Sequence, residues 1–164
     1  MNKPLFNVSR GCVQTLPVYS IINGTKSGYY MKTFITRTRA RYAETDTAEV
    51  LYYGSYFLYF EVGRIEMFRE LNLPYRRDIP IVDTYCKYLR PGYFDDLLEI
   101  HTKFDDITEK GFKIRSFVHR VTDDGTLEQI AEGYVTMVYV NEDRKVSPLP
   151  DYFVEVFEKI GAEE

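Results

Sequence analysis

In the middle of this chain Tyr56, Phe60, Gly63, Met67 and Leu71 recur at helical spacing, and beyond Pro74 strand-like patterns take over. Glu66, Arg69 and Glu70 give that helix a polar side, and Asn72-Leu73-Pro74 stops it. Its first turns, Tyr56 to Phe60, are apolar or aromatic all round, so they are expected to be buried. Four strands are expected afterwards: Ile79 to Leu89, Leu97 to Thr108, Phe112 to Thr122 and Leu127 to Val140. Arg90-Pro91-Gly92, Glu109-Lys110-Gly111 and Asp123-Asp124-Gly125 separate them, the last a good hairpin signal. Ahead of the helix, Phe34, Thr36, Thr38, Ala40 and Tyr42 alternate with Ile35, Arg37, Arg39 and Arg41, a first strand. Pro148 and Pro150 lead into a terminal helix striped by Phe153, Val156, Phe157 and Ile160. One long helix against antiparallel strands makes an α+β fold in which the sheet wraps the helix.

Both faces of the strand Leu127 to Val140 read as apolar: Ala131, Val135, Met137 and Tyr139 on one, Ile130, Tyr134, Val138 and Val140 on the other. The central helix covers one face, so the other calls for the terminal helix or another subunit, and a homodimer or homotetramer is the economical expectation. Residues 1–30 mix Pro, Gly, Asn and Ser without sustained periodicity, and the patterned part begins at Met31. An N-terminal extension over 1–30 and a single domain over 31–164 follow, with Met31 a candidate natural start. At 164 residues and 45% hydrophobic content the chain can fill one full core.

Several function classes recede. A formal charge of −4 argues against a general nucleic-acid or anionic-membrane binder. Cys12 and Cys86 form no CxxC pair and no histidines cluster with them, so neither metal nor cofactor is expected. There is no apolar run of about 18 residues, which leaves no integral membrane segment. With no signal-peptide pattern, a cytoplasmic location is expected. Asn7-Val8-Ser9 and Asn23-Gly24-Thr25 match glycosylation acceptors by chance.

The chemically pointed feature is Asp46, placed shortly before a helix that starts near Ser55. A helix N-terminus offers unpaired N–H groups and partial positive charge that can hold an oxyanion, while a carboxylate alongside can attack or activate water. On spacing alone Asp46 equally reads as a turn cap. Glu44, two positions earlier on an extended chain, is expected to point into solvent. Tyr52, Tyr53 and Tyr56 line an aromatic pocket or belong to the core. His101 and His119 sit on strands without a Ser or Cys motif nearby.

Arg39 to Arg64, reading RARYAETDTAEVLYYGSYFLYFEVGR, resembles the hotdog-fold acyl-CoA thioesterases of the 4-hydroxybenzoyl-CoA thioesterase and YbgC group. Further anchors lie at Leu71 to Tyr75, Leu89 to Glu99 and Gly111 to Arg120, so the resemblance spans roughly Met31 to Phe157. It implies hydrolysis of an acyl-CoA at a site between two protomers. Asp46 is the implied catalytic carboxylate, as nucleophile or general base, and the Tyr53 backbone N–H the oxyanion donor. Tyr52, Ser55 and Tyr56 would contact substrate, with Ser55 also capping the helix. Lys113, Arg115 and Ser116 would contact the nucleotide phosphates. Two positions depart from the pattern: Glu49 stands at a usual Gly, implying another loop conformation or a side chain swung outward, and Ser55 at a usual Asn. Hydrolysis of acyl-carrier-protein thioesters and non-catalytic acyl-CoA binding remain alternatives.

Overall fold

The computed structural model describes residues 17–22, 25–30 and 32–162, with side chains from 32 to 160. The strands are β1 (Pro17–Ile22), β2 (Thr25–Tyr30), β3 (Phe34–Arg39), β4 (Ile81–Tyr88), β5 (Leu97–Asp105), β6 (Gly111–Val121) and β7 (Leu127–Val138). The helices are α1 (Ser55–Glu70) and α2 (Asp151–Ala162). Strands β3 to β7 form one antiparallel sheet in the order β3-β5-β6-β7-β4, while β1 and β2 pair as a separate two-stranded sheet. That pairing occupies part of the expected extension; the candidate start at Met31 and the Asn7 and Asn23 triplets lie wholly or partly outside the described residues. None of the described helices is long and apolar enough to cross a membrane.

Helix α1 lies on the inner face of the sheet because small residues let the backbones approach. A Cβ at Gly63 would stand 2.3 Å from Thr102 Oγ1 and 2.9 Å from Ile100 Cγ2; one at Gly133 would stand 2.2 Å from the Tyr85 carbonyl oxygen and 2.5 Å from the Phe60 ring. Around those contacts Tyr59, Phe60, Met67 and Phe68 of α1 are buried against Leu98, Ile100, Phe104, Phe112 and Val118. Each such side chain contributes about 1.5–3 kcal/mol relative to exposure. The helix ends where Asn72 adopts φ 54° and the Leu73 N–H returns to the Phe68 carbonyl at 2.9 Å, with Pro74 next.

Helix α2 carries the expected stripe, but it joins the inner core. Phe153 stands 5.2 Å from Phe112 and Phe157 4.9 Å from Phe104, ring centre to ring centre. It does not lie on the outer sheet face, where Glu99 and Lys103 are nonetheless buried, and that face is more polar than the alternation implied. Lys113, Arg115, His119, Glu132 and Tyr134 are half-buried there. Ile130, expected on that face, is buried with Leu51 instead, through a register shift between Val118 and His119. Tyr42, expected beside Phe34, is 78% exposed, because a 3-10 turn over Tyr42–Glu44 ends the strand's alternation.

Candidate active site

The loop from Arg41 to Gly54 connects β3 to α1 and is tied to both by one buried carboxylate. Glu44 accepts hydrogen bonds from the Arg41 N–H at 2.8 Å, from Arg41 Nε at 2.7 Å, from Arg41 Nη2, and from the Tyr59 hydroxyl at 2.8 Å. Its carbonyl accepts from the Tyr52 N–H at 2.8 Å and from Ser55 Oγ at 2.9 Å. The expectation that Glu44 faces solvent is therefore overturned: the 3-10 turn rotates it under the loop, where it is 5% exposed. Burial pushes its carboxyl up, but the bonds from Arg41 and Tyr59 and the Arg41 charge outweigh that and hold it below the usual carboxylate range. Burial first, and then the bond to Glu44, push the Tyr59 phenol up, so it stays protonated and donates.

Asp46 sits on the exposed rim of this tethered loop. Its Oδ1 accepts the Ala48 N–H at 2.8 Å, an Asx turn, and its N–H donates to the Val50 carbonyl at 2.9 Å. Oδ2 makes no hydrogen bond to a described residue. Glu49 takes φ 62°, the left-handed conformation glycine favours, with its side chain exposed outward. The loop thus keeps a glycine-like turn without the glycine, and Thr45 and Leu51 bridge across it.

Tyr53 follows on the same tether. Its N–H and that of Gly54 find no acceptor among the described residues, whereas the Tyr52 and Ser55 N–H groups donate to Glu44 and Tyr52 carbonyls. The Tyr53 carbonyl accepts from the Tyr88 hydroxyl at 3.1 Å. Burial, then the neighbouring Cys86, push the Tyr88 phenol up to about 12, so it remains a donor. Neither Tyr88 nor Tyr59 was singled out by the sequence; both lie on patterned segments where a tyrosine reads as packing.

The other expected site residues scatter. Tyr52 and Tyr53 pack with ring centres 4.3 Å apart and planes tilted by 45°, and are 44% and 62% exposed. Tyr56 is 3% exposed and packs against Tyr59 and Tyr88, which makes it core. Ser55 does not cap α1: Gly54 holds that position without a side-chain cap, and the Ser55 hydroxyl is engaged by Glu44. Lys113 and Arg115 occupy the outer face at the β6 end that pairs with Asp105, far along the sheet from the Asp46 loop, which joins the other end of β5 through Ala40 and Asp96. Asp106 and Asp105 already pair with them, at 3.5 and 2.7 Å. Ser116 faces the opposite way, 1% exposed and 3.4 Å from Thr102 Oγ1, so strand alternation separates it from the two cations it was grouped with. His101 and His119, 4.5 Å apart, also lie on the outer face, where His101 bonds Glu99 at 2.7 Å.

A model of the thioesterase-like superfamily matches residues 40–157, which include the whole tethered loop, α1 and the sheet beyond it. The chain belongs to that superfamily. Similar folds occur in a DHNA-CoA thioesterase from Staphylococcus aureus, at 25% identity and TM-score 0.69 over 79% of this chain and 91% of that one. They occur also in the 4-hydroxybenzoyl-CoA thioesterase of Pseudomonas sp. strain CBS-3, at 20% identity and TM-score 0.68 over 76% and 99%. A 1,4-dihydroxy-2-naphthoyl-CoA thioesterase from Synechocystis gives 17% identity and TM-score 0.70 over 79% and 98%. This superfamily member has the hotdog arrangement and is a thioester hydrolase.

Proposed function

We propose that the protein hydrolyses acyl-CoA thioesters with Asp46 as the catalytic carboxylate and the Tyr53 N–H as the oxyanion donor. The observation that carries this reading is the pairing of a carboxylate oxygen and a backbone N–H that both lack partners among the described residues, on one loop fixed by Glu44. In the general-base route Asp46 takes a proton from water and the hydroxide adds to the thioester carbonyl. The resulting oxyanion accepts from Tyr53, and collapse expels the CoA thiolate, which takes up the proton. In the nucleophilic route the carboxylate itself adds, expels the thiolate and leaves an anhydride that water hydrolyses.

A single chain offers little wall for the acyl group. Neither the cleft of about 710 Å³ between β3 and α1 nor the cavity of about 220 Å³ near Arg64 is lined by Asp46 or Tyr53. Meanwhile the edge strand β4 exposes Ile81, Val82, Tyr85 and Tyr88, the last touching the Tyr53 carbonyl. We place the acyl pocket between two protomers of a homodimer or homotetramer in the cytoplasm, with 31–164 as the folded unit, Tyr52 on the pocket wall and Tyr56 behind it. Lys113 and Arg115 serve a CoA phosphate only where assembly sets one protomer's outer face beside another's loop. Purified protein should release thiol from a panel of aromatic, short-chain and long-chain acyl-CoAs, and Asp46→Asn should abolish that release. An Asp46→Asn protein of unchanged activity overturns the assignment, and tight acyl-CoA binding without turnover replaces it with a binding function.

A further inference from the structure

Arg64 lies in the second half of α1 and is 4% exposed. Its Nη2 donates to the Tyr75 hydroxyl at 2.8 Å, and the guanidinium carbon stands 5.8 Å from the centre of that ring. The carboxylate it approaches, Glu61 Oε1, is 4.0 Å away on an exposed side chain. Its Nε is sealed from solvent and has no hydrogen-bond partner among the described residues. A buried guanidinium costs several kcal/mol unless it is paired and fully hydrogen-bonded, and one neutral phenol with an ion pair at the limit of contact does not offset that.

Arg64 lines a cavity of about 220 Å³ walled by Phe68, Ile79, Ile81 and Met137, with Arg76, itself paired with Asp78 at 3.4 Å, as a second cation. Among the described residues no carboxylate lines it. Its volume equals that of about seven waters. Apolar walls with one or two cations and unmet donors fit a compact apolar body carrying one carboxylate, which a guanidinium fork can take bidentately. We infer that this cavity binds a small organic carboxylate through Arg64. The carboxylate belongs either to a free acid or to the far end of an acyl group, and the second source rests on the hydrolase reading above.

The probe is benzoate, with benzamide as its uncharged counterpart, titrated into the full-length protein by calorimetry while the Arg64 Nε–H resonance is followed by NMR. Benzoate is expected to bind and move that resonance, and benzamide to bind at least about tenfold more weakly, since a hydrogen-bonded charge is lost. Arg64→Met should weaken benzoate by at least about tenfold. Should Arg64→Met fail to fold, Ile81→Trp, from an exposed position on the edge strand, narrows the cavity with Arg64 intact and should weaken benzoate too. Equal binding of benzoate and benzamide, no benzoate binding, or benzoate binding unchanged in a folded Arg64→Met protein overturns the proposal. Turnover of adipyl-CoA and hexanoyl-CoA separates the two sources. Benzoate competing with adipyl-CoA, and an Arg64→Met KM raised for adipyl-CoA alone, assigns the acyl end; benzoate binding without competition assigns a free acid. Absence of turnover with every acyl-CoA bears on the hydrolase reading and leaves the calorimetric result standing.

Discussion

Glu44 and Arg64 are both charged, both about 95% buried and both packed at α1, yet their surroundings differ in kind. Glu44 receives a backbone N–H, two guanidinium nitrogens and a phenol, so its charge is used up inside the fold. Arg64 donates to one phenol, and its Nε, beside a cavity, has no partner among the described residues. The first arrangement is what a structural charge looks like when burial is compensated. The second holds donor capacity that the fold does not consume. Asp46, exposed and half-engaged on the loop that Glu44 anchors, belongs with the second kind. On the proposed reading, saturated charges at this helix build the site and unsaturated ones are the groups that would meet ligands.

The largest effect that could break this division is at Asp46. Asp46→Asn should lower kcat by roughly 10²- to 10⁴-fold, the usual range for a positioned acid or base, while leaving the urea midpoint unchanged. Glu44→Gln should behave in the opposite proportion. It forfeits charged hydrogen bonds worth about 2 kcal/mol in urea denaturation, at the lower end because Arg41 is itself largely exposed, and reduces kcat less than Asp46→Asn does. The pH dependence carries a sign. Since the fold holds the Glu44 carboxyl below its ordinary value of 4.5, its contribution is present at neutral pH and is lost as pH falls below about that value. The stability gap between wild type and Glu44→Gln should therefore narrow in acid. A gap that widens in acid, or an Asp46→Asn protein that mainly loses stability, would reverse the two roles.

Tyr59→Phe sharpens the same point at smaller scale. It removes one of the Glu44 donors without removing charge and should cost about 1 kcal/mol, read as a shifted urea midpoint at constant slope. The cost should vanish in a Glu44→Gln background if the two side chains act as a pair; an undiminished cost there would make Tyr59 a packing residue only.

These contrasts also mark where the sequence is readable. The helix and the five main strands follow from spacing, and their ends moved for local reasons: Leu97–Asp105 stops short of Thr108 because Asp106 turns to φ 48°. Asp46 stood out because motif and helix start coincide. Glu44 did not, because a period of two points it outward and only the 3-10 turn, with Arg41 three residues ahead, reverses that. Arg64 had a visible signal: it stands four residues from both Phe60 and Phe68, inside the apolar stripe, where a charge requires explanation. The β1–β2 pairing had one too, since Ile22 pairs with Thr25 and the residues between are Asn23-Gly24, a strong hairpin dipeptide noted only as a chance match to a glycosylation acceptor. Ser116 was misplaced by treating neighbours in sequence as neighbours in space on a strand.

The smallest expected effect tests the residue that departs most from its family's pattern. Glu49 adopts φ 62°, at a cost of about 1–2 kcal/mol for a residue with a Cβ. Glycine removes that strain but gives the unfolded chain about as much extra freedom to lose. Glu49→Gly should therefore change stability by less than about 1 kcal/mol, a shift of no more than roughly 4 °C in Tm for a chain of this size, and leave kcat within about twofold. Its side chain is exposed, so its charge is screened by solvent. A tenfold or larger change in kcat would place the Glu49 carboxylate in the reaction and move it into the group of unsaturated charges beside Asp46 and Arg64.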